Sequence, residues 1–408
     1  MMTDWIATRA AGEARLTGFV PRMGQRYANG RNTDHGPGAH GAVSMLSPYI
    51  RRRLVLEPEV VAAALAAHGP EGAEKFVQEV VWRGYFKGWL ERRPQVWDSY
   101  VQGLQADLAL LARDDDLRDA VARATGGRTG LACFDAWAAE LVETGYLHNH
   151  ARMWFASIWI FTLGLPWRLG ADFFYRHLVD GDAASNTLGW RWVAGLHTRG
   201  KPYAARADNI ARFTNGRFAP HPSQLAEVTE GLEATEPDGL PPALPLRPVT
   251  APDPDRPSVI LITDEDCRVE DFDRSGLSLR GAATLAASHL RSPLPVSEVV
   301  ERFEAEALKD AIARLGQTVP VTVLRAEHPG MLADWAASAG ASQIVTPYVT
   351  RGPLFDWMQA ARPHLAARGI VLAEWQRDWD RAIWPHATAG FFKVKRMIPR
   401  ILQETGIM

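Results

Sequence analysis

The chain has 408 residues with a formal net charge of −2, and 47% of its residues are apolar. This length accommodates two domains with a sizeable core. The two cysteines, Cys133 and Cys267, exclude a disulfide framework and a cluster held by four thiolates. No apolar run approaches the roughly 20 residues of a membrane span. The first residues lack the basic and apolar segments of a signal peptide, so we expect a protein of the reducing cytoplasm.

The first half of the chain has the apolar spacing of helices, at intervals of three and four residues. The pattern predicts helices over 59–68, 73–92, 117–125, 134–146, 149–163 and 169–179. We therefore expect residues 1–218 to form an all-helical domain.

A proline-rich segment follows. Residues 219–257 hold ten of the 27 prolines and show no apolar period, which predicts an extended linker. Beyond it, short β-branched runs at 258–262, 319–324, 343–345 and 370–372 alternate with helical patterns at 296–315, 330–339 and 354–368. Alternation of this kind predicts an α/β domain with a parallel sheet over residues 258–408.

Basic residues are concentrated in two places in the first half. Residues 1–218 carry 26 Lys and Arg against 22 Asp and Glu, a net charge of +4. One cluster is Arg51-Arg52-Arg53, and a second comprises Arg199, Lys201, Arg206 and Arg212. Such clusters indicate either contacts with a phosphate backbone or a solvated face, and the sequence leaves both open.

Residues 180–192 combine polar and aromatic side chains in an unusual density: two acids, one amide and two indoles within thirteen positions. Acids are rarely fully buried unless they are paired, whereas indoles usually are buried. The combination favours a large, flat, hydrogen-bonding ligand held among these side chains. Upstream, Asn149 and Arg152 add an amide and a cation. The alternative is a loop or helix start for the acids and ordinary helix packing for the indoles.

These segments, together with residues 43–49 and 79–83, resemble the flavin-binding core of the photolyase/cryptochrome family. The matching motifs are Val43-Ser44-Met45-Leu46-Ser47-Pro48-Tyr49, Glu79-Val80-Val81-Trp82-Arg83, Asn149-x-x-Arg152 and Asp180-Gly181-Asp182, and they keep their order across residues 43–203. The resemblance implies a blue-light flavoprotein that holds FAD. The residues it implies for FAD binding are Ser44, Leu46, Ser47, Trp82, Arg83, Arg152, Asp180, Asp182 and Asn186.

The resemblance also implies an activity. The repair enzymes of the family are deoxyribodipyrimidine photolyases, lyases that split pyrimidine dimers in UV-damaged DNA. The residues similar to their substrate site are Glu79, Trp82, Asn149, Met153 and Trp192. This set resembles enzymes for cyclobutane dimers, because relatives that repair (6-4) photoproducts have histidines in place of Asn149 and Met153. The alternative is a cryptochrome-like light sensor, or a relative without DNA repair activity.

Family members reduce their flavin through three tryptophans. Trp190 matches the flavin-proximal member and Trp167 the middle one, so that the implied catalytic residues are Glu79, Asn149, Trp167 and Trp190. Residues 101–128 contain no tryptophan, which leaves the third member unassigned; Trp97, Tyr100 or a later aromatic residue are the candidates.

The order of the two domains departs from the family, whose α/β domain precedes the flavin domain. The boundaries 1–218, 219–257 and 258–408 thus predict a circular permutation, with an unrelated fused α/β domain as the alternative. No residue set specifies an antenna pigment or an oligomeric state. We expect no metal, because His148 and His150 point to different faces of a helix.

Overall fold

The computed structural model describes residues 5–227, 229–316 and 319–408. Its first part is helical, as predicted. The helices are α1 (Arg9–Phe19), α2 (Gln25–Gly30), α3 (Ser47–Arg51), α4 (Glu57–Glu91), α5 (Pro94–Arg113), α6 (Asp115–Thr125), α7 (Ala132–Thr144), α8 (Asn149–Ser157), α9 (Trp167–His177), α10 (Ala183–Val193) and α11 (Ala207–Phe213). A π-helical turn over Ile158–Thr162 continues α8.

The longest helix, α4, unites two predicted helices. Gly69 has a φ of 67°, and Pro70 follows it, so the helix is kinked where the sequence predicts a break. The sequence does not predict α5, which begins at Pro94. Proline is tolerated there because the first turn of a helix needs no intrahelical N–H donor.

The proline-rich segment contains no α-helix or strand among its described residues before Pro257. It is nevertheless attached to the helical part. The Leu244 N–H donates to the Arg92 carbonyl at 2.7 Å, the Arg93 Nε donates to Pro241, and Arg191 pairs with Glu236 at 2.5 Å.

The later part is a five-stranded sheet, and the predicted parallel arrangement is confirmed. The strands β1 (Pro257–Thr263), β2 (Ser278–Ala286), β3 (Val321–Arg325), β4 (Gln343–Pro347) and β5 (Val371–Trp375) lie in the order β3-β2-β1-β4-β5. Every neighbouring pair is parallel. The connecting helices are α12 (Glu298–Leu315), α13 (Met331–Ser338) and α14 (Pro353–Ala367).

Strand β2 is absent from the sequence-based prediction. Its segment Ser-Leu-Arg-Gly-Ala-Ala-Thr-Leu-Ala is rich in alanine and contains Gly281, and both residue types are depleted in strands. Pairing with β1 on one side and β3 on the other places the strand inside the sheet, where its last five residues are mostly buried. Tertiary pairing therefore outweighs local preference in this segment.

Three further helices end the chain: α15 (Asp378–Ile383), α16 (Phe391–Lys395) and α17 (Ile398–Glu404). This segment packs against α4 of the helical part. Gly84 and Gly88 allow the approach, because a Cβ at Gly84 would lie 2.9 Å from Ile383 and one at Gly88 would lie 2.6 Å from Trp384. Within the described ranges, no helix is long and apolar enough to cross a membrane.

The Arg51-Arg52-Arg53 run lies between the helical part and the sheet part. All three side chains are buried, so both sequence-based interpretations, a solvated face and a phosphate-binding cluster, are wrong for this run. Arg51 donates to Glu265 at 2.6 Å, and Arg53 donates to Asp380 at 2.7 Å.

The acids opposite this run are the residues that follow β1. Asp266 accepts from Arg53 at 3.2 Å and from Arg377 at 2.6 Å. Burial opposes the ionisation of Asp266, but the charges of Arg377 and Arg53 outweigh it and hold its pKa below the ordinary value. We call Arg51, Arg52, Arg53, Asp264, Glu265 and Asp266 the interdomain ion cluster.

Asp266→Ala should lower the free energy of unfolding by about 3 kcal/mol, because it removes a counter-charge shared by the largely buried Arg53 and Arg377 guanidinium groups, which keep Asp380 and Asp271 as close partners. Urea denaturation measures the change. Asp378→Ala is the control, since Asp378 pairs with Arg381 in an exposed position where an ion pair contributes little. Equal stability of the two variants would contradict this role for the cluster.

The loss of stability caused by Asp266→Ala should depend on pH. The folded pKa of Asp266 is depressed, so its contribution is present above the unfolded pKa of about 3.9 and is lost as the pH falls through the folded value. The stability difference between the native chain and Asp266→Ala should therefore be constant near neutral pH and shrink below about pH 4. Urea titrations at several pH values measure this difference.

Candidate functional site

A cavity of about 630 Å³ opens in the helical part, between α4, α8 and α10. Cavities of this size are typical of sites for small molecules and cofactors. Its lining comprises Arg31, Asn32, Ser47, Glu79, Trp82, Arg83, Phe86, Tyr146, Asn149, His150, Arg152, Met153, Ala156, Phe174, Leu178, Asp180, Gly181, Asp182, Ser185, Asn186, Gly189, Trp190, Trp192 and Val193.

Helix geometry brings the lining residues together. On α4, Glu79, Trp82 and Arg83 occupy positions i, i+3 and i+4, which share one face. Helix α10 begins after Asp182, whose carboxylate accepts from the Ser185 N–H at 2.8 Å and caps the helix. Side chains from the loop before α10 and from its first turns therefore face the same cavity as those of α4 and α8.

The charges around the cavity are mostly paired. Arg152 donates to both carboxylate oxygens of Asp180, at 3.0 and 2.9 Å. Burial opposes the ionisation of Asp180, yet the charge of Arg152 outweighs it, and the pKa of Asp180 lies below its ordinary value. The pKa of Asp182 is lowered too: burial opposes ionisation, but Lys87, at 3.4 Å, and the nearby arginines outweigh it. Both acids are thus anionic acceptors at neutral pH.

Two donors on the cavity wall lack a partner among the described residues. They are Nη1 of Arg83 and Nε1 of Trp190, and both atoms are buried. Buried donors normally find an acceptor, because a buried donor without a hydrogen-bond partner destabilises the folded protein. A ligand rich in acceptors, such as a dinucleotide with its phosphates and ring carbonyls, would satisfy them. The donor and acceptor set therefore fits FAD.

The structure brings most of the predicted site residues to this one cavity. Those that line it are Ser47, Glu79, Trp82, Arg83, Asn149, Arg152, Met153, Asp180, Asp182, Asn186, Trp190 and Trp192. Three do not line it. Leu46 is fully buried, Ser44 lies in a separate depression beside α1, and Trp167 is buried at the start of α9.

The sequence pattern missed Arg31, which lies just after α2 and forms an ion pair with Glu79. The two residues are 48 positions apart, and no pattern in the sequence predicts α2 or this contact. It also missed Phe391 of α16, whose ring centroid lies 4.0 Å from that of Trp82. Phe391 comes from the far end of the chain, so only the packing of α16 on α4 shows this contact.

Trp190 is buried at the inner wall of the cavity. Its indole packs edge-to-face against Trp159, with ring centroids 6.3 Å apart, and against Phe174, with ring centroids 5.1 Å apart. Gly170 of α9 makes room for it, since a Cβ at that position would overlap the Trp190 ring. The sequence does not single out Trp159, which is a close aromatic neighbour of Trp190.

A second aromatic series runs from Trp167 into α5. The Trp167 and Tyr100 centroids are 5.8 Å apart, and those of Tyr100 and Trp97 are 5.3 Å apart. The indole N–H of Trp97 donates to Asp356 of α14 at 2.7 Å. Burial raises the pKa of Asp356, which makes its carboxylate a stronger proton acceptor. Tyr100 thus lies next to Trp167, and Trp97 lies beyond Tyr100 in the same series.

Most of the cavity-lining residues lie within a segment that matches a known family. Residues 76–218 match the model of the FAD binding domain of DNA photolyase. A deoxyribodipyrimidine photo-lyase of Thermus thermophilus is 36% identical over 201 residues, which cover 47% of this chain and 44% of that protein. The enzyme of the same name from Streptomyces griseus is 34% identical over 231 residues, covering 52% and 46%.

Among solved structures, a bacterial class III photolyase from Agrobacterium tumefaciens is similar over 52% of this chain and 45% of its own, with 27% identity and a TM-score of 0.41. The chain spans about half the length of the curated relatives it matches.

Arg152→Gln should weaken FAD binding by at least about tenfold, because a hydrogen bond to a charged group contributes about 1.5–3 kcal/mol. Titration of FAD into the flavin-free protein, followed by flavin fluorescence, measures the affinity. Arg176→Gln is the matched control, since Arg176 forms a similar ion pair with Asp172 at 2.8 Å but does not line the cavity. Equal affinities for the two variants would argue against FAD in this cavity.

Proposed function

We propose that the protein is a light-driven, FAD-dependent lyase of the photolyase/cryptochrome family that repairs cyclobutane pyrimidine dimers in UV-damaged DNA, because residues 76–218 match the FAD binding domain of DNA photolyase. The observation that carries the proposal is the convergence of Glu79, Trp82, Asn149 and Trp192 with the paired Arg152 around one cavity. A bound flavin would need the cation Arg152, and an extruded dinucleotide would need Glu79, Trp82, Asn149 and Trp192. The repair reaction requires these two groups of residues side by side.

The flavin side of the cavity is proposed to consist of Arg83, Arg152, Asp180, Asp182 and Asn186. Bound reduced FAD would supply, on absorbing blue light, the electron that opens the cyclobutane ring. Arg152 would place a positive charge beside the isoalloxazine. The Asn186 amide is oriented by its Nδ2, which donates to the Ala171 carbonyl at 2.8 Å, and this leaves its oxygen as an acceptor. Arg83, with an unpartnered Nη1, would bind an anionic or carbonyl oxygen.

The substrate side is proposed to consist of Glu79, Trp82, Asn149, Met153 and Trp192. Trp82 is 37% exposed, so its indole can stack on a base that leaves the duplex. Tyr203 stacks on the Trp192 indole, with ring centroids 5.3 Å apart and an angle of 30° between the ring planes. Glu79 would hydrogen-bond the pyrimidines, with Arg31 holding its carboxylate in place.

The domain organisation is part of the same proposal. We propose an FAD-binding domain over residues 1–218, a linker over 219–257 and an α/β domain over 258–408, in the reverse of the order known in the family. The five parallel strands after the proline-rich segment support it. The packing of α15 and α16 on α4 brings this last segment back to the helical part.

The proposal predicts dimer repair with a defined dependence on Trp82. Reduced protein should split cyclobutane dimers in an oligonucleotide under blue light. Trp82→Ala should weaken binding of the damaged oligonucleotide by about tenfold, because base–aromatic stacking contributes about 1–3 kcal/mol. Trp82→Phe should retain most of the affinity, since the phenyl ring still stacks. Binding assays in the dark and chromatography of illuminated samples give the two readouts.

One result would overturn the repair proposal. If fully reduced, illuminated protein leaves both cyclobutane and (6-4) lesions intact and binds damaged and intact DNA equally, the light-sensor alternative takes its place.

The aromatic residues predict the route of photoreduction. With an external thiol as the electron source, Trp190→Phe should slow the light-driven loss of oxidised-flavin absorbance strongly, because phenylalanine is much harder to oxidise than tryptophan. Trp97→Phe should slow it as well, because it removes the indole that can pass a proton to Asp356. Trp335→Phe, in the sheet part, is the control. Equal rates for Trp97→Phe and the native protein would exclude Trp97 from the route.

A further inference from the structure

We propose that residues 391–400, which we call the basic rim, form a contact surface for duplex DNA beside the cavity. In this arrangement Lys393, Lys395 and Arg396 bind backbone phosphates, and Phe392 packs against the base pair next to the extruded nucleotides. The inference rests on the proposed function, because it assigns the surface that presents the damaged duplex to the same site.

The first observation is the position of the rim. Phe391, its first residue, is buried, and its ring centroid lies 4.0 Å from Trp82 and 5.6 Å from Tyr85. Trp82 itself lines the cavity. The basic rim therefore begins in contact with a cavity-lining indole, although it is more than 300 positions away in the sequence.

The second observation is the exposure of Phe392. Its side chain is 78% exposed, whereas most phenylalanines of the chain are buried. An exposed aromatic ring next to cations is typical of surfaces that bind nucleic acid, because apolar wedges can enter between unstacked base steps. Extrusion of two nucleotides would leave such a gap in the stack. Phe392 directly follows Phe391, the residue that contacts Trp82, so the proposal places its ring at this gap.

The third observation is charge. Residues 391–400 include Lys393, Lys395, Arg396 and Arg400 but no Asp or Glu, in a chain whose net charge is −2. Lys393 is exposed and donates to the Thr388 hydroxyl at 2.7 Å, and Lys395 lies 3.4 Å from Glu74. Arg396 is exposed and forms no ion pair within the described part of the chain.

The interior position of Arg51, Arg52 and Arg53 strengthens this inference, because their charges are neutralised in the interdomain ion cluster. The cations that contact a phosphate backbone must therefore come from elsewhere. The basic rim combines exposure, a net positive charge and contact with the cavity wall. A DNA duplex accounts for the exposure, the positive charge and the contact with the cavity wall together. An acidic protein would not account for the position of Phe392 beside the cavity.

The test compares three variants by fluorescence anisotropy of a labelled duplex that carries one cyclobutane dimer. The first replaces Lys393, Lys395 and Arg396 by Gln, the second is Phe392→Ala, and the third is a charge-matched control that replaces the exposed Arg113, Arg118 and Arg123 by Gln. Thermal melting and flavin content verify that each variant folds and holds its cofactor.

The triple rim variant should bind the duplex at least about tenfold more weakly at low salt, and the slope of log affinity against log salt should fall by about two to three, one for each lost phosphate contact. Phe392→Ala should weaken binding about fivefold with an unchanged slope, because it removes an uncharged contact. The control should bind like the native protein.

Two outcomes would overturn the inference: unchanged duplex binding by the rim variants, or an equal loss in the control, which would indicate a general charge effect. The failure of the proposed function is distinguishable. If the native protein repairs no lesion while its duplex binding still depends on the rim, only the repair proposal fails. If it repairs dimers and the rim variants bind normally, only the rim inference fails.

Discussion

The burial of three consecutive guanidinium groups, Arg51 to Arg53, is the constraint on which the rest of the structure depends. Charges removed from water need partners, and a buried charge without one is strongly destabilising. The partners are supplied mainly by Asp264, Glu265 and Asp266, directly after strand β1 of the sheet part. The helical part and the sheet part are therefore joined by charges that neither could bury alone.

Two of these arginines, together with Arg291 of the sheet part, hold the loop that leads into the cavity. Arg51 donates to the Gly181 carbonyl at 2.8 Å, Arg52 donates to Val179 at 2.6 Å, and Arg291 donates to Leu178 at 3.1 Å. This loop carries Asp180 and Asp182, the two acids on the cavity wall. Its backbone thus takes its position from side chains of both the helical part and the sheet part. The α/β part therefore acts as a support for the cofactor cavity, with or without an antenna pigment.

The sequence predicts those features that depend on local pattern. Helical periodicity gives most of the long helices, β-branched runs give four of the five strands, and local motifs give half of the cavity lining. The sequence does not predict features that depend on contacts between distant segments. Strand β2 is stabilised by its two neighbours, Arg31 reaches Glu79 across 48 positions, and Phe391 reaches Trp82 from the end of the chain. The Arg51–Arg53 run shows the same limit, because a cluster of cations carries no local signal of whether it is exposed or buried.

A crystal structure of the protein with FAD bound would test most directly whether the arginine-held loop builds the cofactor site. We expect the isoalloxazine beside Asn186 and Trp190, the Arg152 guanidinium in contact with it, and residues 178–182 still held by Arg51, Arg52 and Arg291. Electron density for FAD outside the cavity, or a bound flavin with this loop released from the three arginines, would contradict that expectation.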